Sequence, residues 1–496
     1  MLDDVRPLTD RLSARYLEEH RLVPIRLDGD AVVVAASEPP APDVLGELAA
    51  VFERPVRIVE APRAEIERAI DRAYGAAAST VNDVMADLRE DGLELVTEGT
   101  ESADDLEGLA NQAPVIRLVN LILFDALQRR ASDVHLDAMP DALRVRYRVD
   151  GVLREVSASP KRYQAAVVSR IKVMASMDIA ERRLPQDGRI RLRMAEREVD
   201  LRVSTIPTVN GESVVLRILD RSGARTALED LQMDPDDLRR FVRLIERPNG
   251  ILLVTGPTGS GKTTTLYTAL SRLNDETRKI LTVEDPVEYQ IRGVSQVEVH
   301  PRIGLSFAAT LRSMLRQDPD VIMVGEIRDR ETAEIAVQAA LTGHLVLSTL
   351  HTNDAPSAVT RLLDMGVEDY LVAATVEGIV AQRLVRRVCP HCSEPRPAAA
   401  DMATRLGVAP GTLFREGRGC DACDGTGYRG RTGIYEILNL TDRLRSMIVA
   451  RAPLEDLRAA ARAEGMRSLR AAGLARALAG ETTLEEVLRV TAEAEE

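Results

Sequence analysis

The sequence predicts a multidomain α/β protein whose largest part is a mostly parallel sheet between helices. Three observations carry that prediction. At 496 residues the chain is too long for one hydrophobic core, and its length suggests about three domains. Between residue 250 and about 385, apolar strands alternate with helical patterns: Ile251–Thr255, Lys279–Val283, Val321–Val324 and Leu345–Thr349 are the strand candidates. Finally, residues 250–267 read GILLVTGPTGSGKTTTLY, an apolar run that breaks into a glycine-rich turn, a lysine and a string of threonines.

Composition narrows the class. Apolar content of 45% with 29% charged residues is that of a globular domain protein. A net charge of −13 argues against a general polyanion binder. No run approaches the roughly 18 apolar residues of a membrane span, and the start Met1-Leu-Asp-Asp-Val-Arg is not a secretory signal. The expectation is a cytoplasmic protein, or one held at a membrane from the cytoplasmic side. The chain has only four lysines, Lys161, Lys172, Lys262 and Lys279, so its positive charge is almost all guanidinium.

The first unit, 1–75, mixes helical periodicity (Thr9 to Leu22, Pro62 to Tyr74) with β runs at Ala31–Ala36 and Val56–Val59, a small α/β domain. Residues 76–110 are acidic and poorly periodic and read as a linker. The unit 111–232 opens on an amphipathic helix from Pro114 to about Arg130. Two hairpins follow. Leu143–Val149 and Val152–Val156 flank Asp150-Gly151; Arg197–Thr205 and Ser213–Leu219 flank Asn210-Gly211. The alternation of the first hairpin puts Arg144, Arg146 and Arg148 on one face. This β-rich α+β domain precedes the core, 233–385. Residues 386–435 look irregular and rich in Gly and Pro, and 436–496 returns to helix.

Gly256-Pro-Thr-Gly-Ser-Gly-Lys-Thr263 fits the phosphate-binding pattern G-x-x-x-x-G-K-[ST] between a strand and a helix. Glycines let backbone N–H groups curl around phosphate oxygens, and the helix N-terminus adds partial positive charge. Gly256, Pro257, Thr258, Gly259, Ser260, Gly261, Lys262, Thr263 and Thr264 are therefore the candidates for holding ATP. Lys262 is the candidate for the β/γ-phosphates and Thr263 for Mg²⁺. Glu326, delivered by Val321–Val324, suits the acid of a Walker-B segment, although a glycine separates strand and acid. Glu284, Asp285 and Glu288 follow another strand, and one of them is the candidate for orienting the attacking water. His344 and His351 bracket Leu345–Thr349, each a candidate γ-phosphate sensor or a structural cap.

Cys389-Pro-His-Cys392 and Cys420-Asp-Ala-Cys423 are the only cysteines, two C-x-x-C knuckles with 27 residues between them. Without an export signal they should be reduced, and together they suit one tetrahedral Zn²⁺ in a closed, structural site. The fold class is thus a P-loop (RecA-like) core with a parallel sheet, two preceding domains, a zinc-binding insertion and a helical C-terminal region. A zinc lobe with eight arginines against five acids in 386–431 also fits a DNA-processing ATPase. The lobe's few aromatics, Phe414 and Tyr428, and the acidic chain speak against it.

Taken together these segments resemble one family, the secretion-type traffic ATPases that power type II secretion, type IV pili and related machines. Glu284-Asp-Pro-Val-Glu288 is similar to the family's Asp box, Gly325-Glu-Ile-Arg-Asp329 to its Walker-B segment, and Thr342-Gly-His344 with Leu350-His-Thr352 to its His box. Ala131-Ser-Asp-Val-His-Leu136, Val149-Asp-Gly-Val152 and Arg183-Leu-Pro-Gln-Asp-Gly-Arg189 are similar to its middle domain. The resemblance implies that Glu288 is the catalytic glutamate and Glu326 the Mg²⁺-linked acid. It implies that arginines of the middle domain, of which Arg202, Arg217 and Arg189 are the candidates, reach the γ-phosphate. It further implies a homohexamer at the inner membrane. Residues 1–75 would dock on a platform protein with a cytoplasmic domain, beside a polytopic platform protein, with no nucleic acid. Extension of a pseudopilus for protein export is the implied work, with type IV pilus assembly the other member activity.

Overall fold

The computed structural model describes residues 16–17, 20–28, 30–52, 54–62, 65–66, 113–194, 197–220, 227–398, 404, 407–409 and 411–492. The acidic segment 76–110 and most of the helical runs expected at Thr9–Leu22 and Pro62–Tyr74 lie outside them. Near the N-terminus, β1 (Leu22–Asp28), β2 (Ala31–Ala36) and β3 (Val56–Glu60) form a sheet in that order, antiparallel then parallel. The helix Pro42–Phe52 makes the crossover, burying Leu48 and Phe52 on Val32 and Val34.

The next unit is a six-stranded antiparallel sheet backed by the helices Ala113–Gln128 and Gln164–Met174. Its strands are β4 (Ala131–Ala138), β5 (Ala142–Val149), β6 (Val152–Pro160), β7 (Gln186–Met194), β8 (Arg197–Thr208) and β9 (Gly211–Asp220), in the order β6-β5-β4-β9-β8-β7. The strict alternation of β5 has the expected result. Leu143, Val145 and Tyr147 are buried in the core, each such burial worth about 1.5–3 kcal/mol. Arg144, Arg146 and Arg148 take the other face and pair with Glu155, Asp137 and Asp133. The turn residues Asp150 and Gly151 both have positive φ, 49° and 81°, the geometry that an Asp-Gly pair permits. The second hairpin turns one residue earlier than Asn210-Gly211 suggests: Gly211 already pairs with Thr208, and the loop is Val209-Asn210. A side chain at Gly211 would meet Gln164, whose amide donates to the Asn210 carbonyl at 2.9 Å. Lys172 is wholly buried, 2.6 Å from Glu212 and donating to the Glu181 carbonyl at 2.7 Å.

The core sheet contains β10 (Gly250–Thr255), β11 (Ile280–Glu284), β12 (Ser295–Glu298), β13 (Val321–Val324), β14 (Leu345–Leu350) and β15 (Val376–Val388). Beyond a small lobe with β16 (Ser393–Pro397) and β17 (Leu413–Gly417), β18 (Tyr428–Asn439) completes it. The order is β12-β11-β13-β14-β10-β15-β18, parallel except for the last pair. Fully buried strands such as Val321-Ile-Met-Val324 show why these runs were continuously apolar rather than alternating. The stretch 386–435 is less irregular than its composition suggests. Its two ends belong to the long antiparallel pair β15 and β18: Arg431-Thr-Gly433 pairs with 384–386 and Tyr428 with Val388, and a bulge with Gly430 at a φ of 77° lies between them.

Four C-terminal helices follow: Asp442–Val449, Leu454–Ala463, Leu469–Leu478 and Leu484–Thr491. Thr441, Ser468 and Thr483 cap three of them through side-chain oxygens. The last helix is tied to β15 by buried Glu486, which accepts from Arg386 at 2.9 Å and from Arg489 at 2.7 Å. Burial pushes this carboxyl up, but the two guanidinium donors outweigh it and hold it down at about 2. Among the described residues no helix is long and apolar enough to cross a membrane.

Candidate active site

Parallel pairing brings the C-terminal ends of β10, β11, β13 and β14 to one edge, where ligands of open α/β sheets bind. The glycine-rich turn leaves β10 there. Gly256, Gly259 and Gly261 have φ of 146°, 79° and 91°. At Gly256 a side chain would also stand 2.5 Å from the Gln382 carbonyl, so β15 packs against the loop too closely for any other residue. Pro257, Thr258 and Gly259 are exposed at the crest and Ser260 is buried. Lys262 opens the helix Lys262–Leu273 and donates to the carbonyls of Gly256 (2.7 Å) and Pro257 (3.1 Å). Burial pushes its ammonium down to about 8, against the pull of the Glu326 carboxylate. Thr263 and Thr264 are exposed on the first helical turn, whose free N–H groups favour anions.

A cleft of about 790 Å³ separates this loop from the six-stranded sheet. Glu326, Glu288 and His351 line its core side; Asp133, Arg148 and Arg217 line the opposite side. Its size is that of a small-molecule site. Glu326 sits behind Gly325, and that glycine has a reason: a side chain there would press on the Val283 carbonyl at 3.3 Å and Glu284 Cα at 3.4 Å. The Glu326 carboxylate pairs with Arg328 and lies 3.3 Å from His351 Nε2. Burial, helped by the Lys262 charge, pushes His351 below its ordinary value, so it stands neutral near pH 7.

The acids after β11 divide. Glu284 is buried and accepts from Tyr267, from Thr282 Oγ1 at 2.6 Å and from Gln296 Nε2 at 3.0 Å. It is fully engaged as an anchor of the helix behind the loop. Glu288 is half-buried at the cleft, with Arg202 Nη2 3.3 Å from its Oε2. His344 is not in the cleft at all. It lies at the opposite end of β14, about 20 Å from His351. There its Nδ1 is 2.8 Å from the Ala339 carbonyl and 3.1 Å from Thr342 Oγ1, so it caps a helix end and cannot sense a phosphate.

The candidate arginines share one row. Antiparallel register aligns Arg148 (β5), Asp133 (β4), Arg217 (β9), Arg202 (β8) and Arg189 (β7) directly across five strands. Like charges opposite one another are unfavourable, and carboxylates relieve them. Asp133 takes Arg217 at 3.0 Å, Glu288 takes Arg202 at 3.3 Å and Glu298 takes Arg189 at 2.8 Å. Arg217 alone of the three lines the cleft; Arg189 lies outside it, at β12. Sequence reasoning missed Asp133 and Arg148 as cleft residues. The arginine face of β5 and the segment Ala131–Leu136 were visible, but only strand register joins them.

In the lobe, Cys389, Cys392, Cys420 and Cys423 bring their sulfurs within 4.8 Å of one another. The separations Cys389–Cys420, Cys392–Cys423 and Cys420–Cys423 are 3.9, 3.8 and 3.7 Å. A tetrahedron with Zn–S bonds of about 2.3 Å has edges of about 3.8 Å, so the four thiols fit zinc. The exposed His391 is not one of this group.

Comparison with known proteins places these features. Residues 108–489 match the family model "Type II/IV secretion system protein", and residues 2–80 match the MshEN domain. The chain is 47% identical over 496 residues to the type IV pilus assembly ATPase PilB of Myxococcus xanthus, covering 99% of this chain and 88% of that one. It is 48% identical over 495 residues to the type II secretion system protein E of Xanthomonas campestris, covering 99% and 86%. With the type II secretion system ATPase E of Vibrio cholerae it shares 48% over 457 residues, covering 91% and 90%. Among solved structures, the fold resembles the Legionella pneumophila ATPase DotB with a TM-score of 0.56 at 21% identity, over 76% of this chain and 95% of that one. It also resembles the pilus retraction motor PilT with bound ADP, with a TM-score of 0.50 at 25% identity, over 74% and 95%. By a family match spanning three quarters of its length and by these full-length relatives, the chain belongs to the Type II/IV secretion system protein family.

Proposed function

We propose that the chain is the ATP-hydrolysing motor of a type II secretion system, driving pseudopilus assembly for protein export. The observation that carries this reading is the cleft. A phosphate-binding loop faces Arg217 of a separate domain, so that hydrolysis and the mutual position of the two domains are coupled. In this reading Lys262 pairs with the β- and γ-phosphate oxygens, and the loop amides of Gly256–Thr264 cradle them. Glu288 orients the attacking water and accepts its proton once Arg202 has left it. Arg217 pairs with the γ-phosphoryl oxygens as they gain charge. Thr263 would hold Mg²⁺, with Glu326 steadying its shell; when bound, the ion neutralises phosphate charge.

The relatives named as type II secretion proteins support the secretory assignment. A specific observation keeps a second reading, extension of a type IV pilus: the full-length match to a pilus assembly ATPase is as high. DNA processing loses support from the lobe itself, where Arg386, Arg396, Arg418 and Arg431 are each paired with a carboxylate. The same reading makes the protein a cytoplasmic homohexamer on the inner membrane, docked through residues 1–75 on a platform protein and beside a polytopic one. Deleting the gene in its host should strand exported proteins in the periplasm and leave surface pili intact. Loss of pili with normal export selects the second reading, and neither defect removes both.

Zinc in the four-cysteine lobe is part of the proposal. Four thiolates close the coordination sphere, so the ion clamps the lobe and takes no part in chemistry. Metal analysis of the purified chain is expected to return one zinc per chain and Cys420→Ser close to none; zinc retained by that variant excludes the site.

A further inference from the structure

We propose that Asp133 is a positioning residue for phosphoryl transfer, holding Arg217 with its guanidinium tips turned toward the phosphate loop. The inference rests on the role given to Arg217 above. Asp133 lies on the central strand β4, opposite Arg148 on one side and Arg217 on the other. It is 7% exposed, so its charge is sheltered from water while the arginines beside it are half open. Its Oδ1 accepts from Arg217 Nε at 3.0 Å. Its Oδ2 accepts from Ser132 Oγ at 2.8 Å and lies 3.6 Å from Arg148 Nε. Arg148 also gives Nη1 to the Gly151 carbonyl at 3.1 Å.

Two consequences follow from that arrangement. Contact through Nε fixes the plane of the Arg217 guanidinium, while its two Nη groups have no partner among the described residues. These are the groups that pair bidentately with phosphoryl oxygens. In addition, one carboxylate stands between two guanidiniums, so about one positive charge remains unbalanced where Arg148 and Arg217 line the cleft. Elsewhere in the row each arginine has an acid of its own, Glu288 for Arg202 and Glu298 for Arg189. The surplus is confined to the part of the row that faces the phosphate loop.

A double-mutant cycle on the full-length chain tests this. Asp133→Ala is expected to lower kcat ten- to a hundredfold with KM for ATP within about threefold, the cost of a misplaced catalytic group. Asp133→Asn, which keeps an acceptor for Arg217 Nε, should recover part of that loss and leave about a fivefold deficit. In an Arg217→Ala background, Asp133→Ala should cost less than about twofold, because the group it positions is gone. An equal loss in both backgrounds overturns the positioning role and leaves Arg217 in place. An unchanged kcat for Arg217→Ala alone overturns both. Should Asp133→Ala melt below assay temperature, Asp133→Asn carries the same cycle, with about a fivefold loss expected only where Arg217 is present.

Discussion

Lys262→Ala is expected to reduce ATP turnover to about a thousandth or less of the unmodified rate, with the fold intact. The lysine is the cation at the base of the phosphate loop, and among the described residues its hydrogen bonds go to the carbonyls of Gly256 and Pro257. Those contacts contribute little to stability, because the loop's shape is set by its glycines and by the close approach of Gln382. The charge matters where phosphate oxygens gather negative charge away from bulk water, since there a fixed ammonium is worth several kcal/mol. Phosphate release should be lost while circular dichroism and the melting temperature stay within a few degrees. Turnover retained at a tenth of normal would remove Lys262 from the mechanism.

The second large effect is at Arg217. Arg217→Ala should lower kcat by about a thousandfold, as for an arginine that stabilises the departing phosphoryl group, and leave nucleotide affinity within about threefold. The asymmetry has a physical source. In the ground state the Arg217 charge is already partly satisfied by Asp133 at 3.0 Å, so little binding energy is lost with it. The interaction strengthens only as charge builds on the γ-phosphoryl oxygens. Single-turnover kinetics with separately measured ATP affinity would distinguish the cases. Equal losses in affinity and kcat/KM would make Arg217 a simple binding residue.

Parts of this molecule were legible because local chemistry dictated them. Gly256, Gly259 and Gly261 announce positive φ and close backbone approach, and Asp150-Gly151 announces its turn. The two cysteine knuckles bring their sulfurs together as their spacing implies. Less could be read where the decisive fact is tertiary. His344 and His351 look equivalent along the chain, yet a six-residue strand puts them at opposite ends of the sheet. Glu284 and Glu288 are four residues apart and both line the cleft, and only packing makes one buried and held by three donors while the other is half-open beside Arg202. The row from Arg148 to Arg189 spans five strands and follows from register, which no local pattern specifies. The β18 strand hid behind glycines and charges that its partner β15 tolerates.

The scarcity of lysine has a practical consequence. Of the four primary amines on side chains, Lys172 is sealed in the middle sheet's core and Lys262 lies under the phosphate loop, leaving Lys161 and Lys279 at the surface. Acylating reagents therefore meet two ready targets and one that is guarded. The guarded one is Lys262, the proposed catalytic cation, whose ammonium burial pushes down to about 8, so that more of it is the free, nucleophilic amine than of an exposed lysine. Its rate of acylation, read by mass spectrometry against Lys161 as internal standard, should fall when nucleotide fills the cleft, giving a label-based gauge of occupancy.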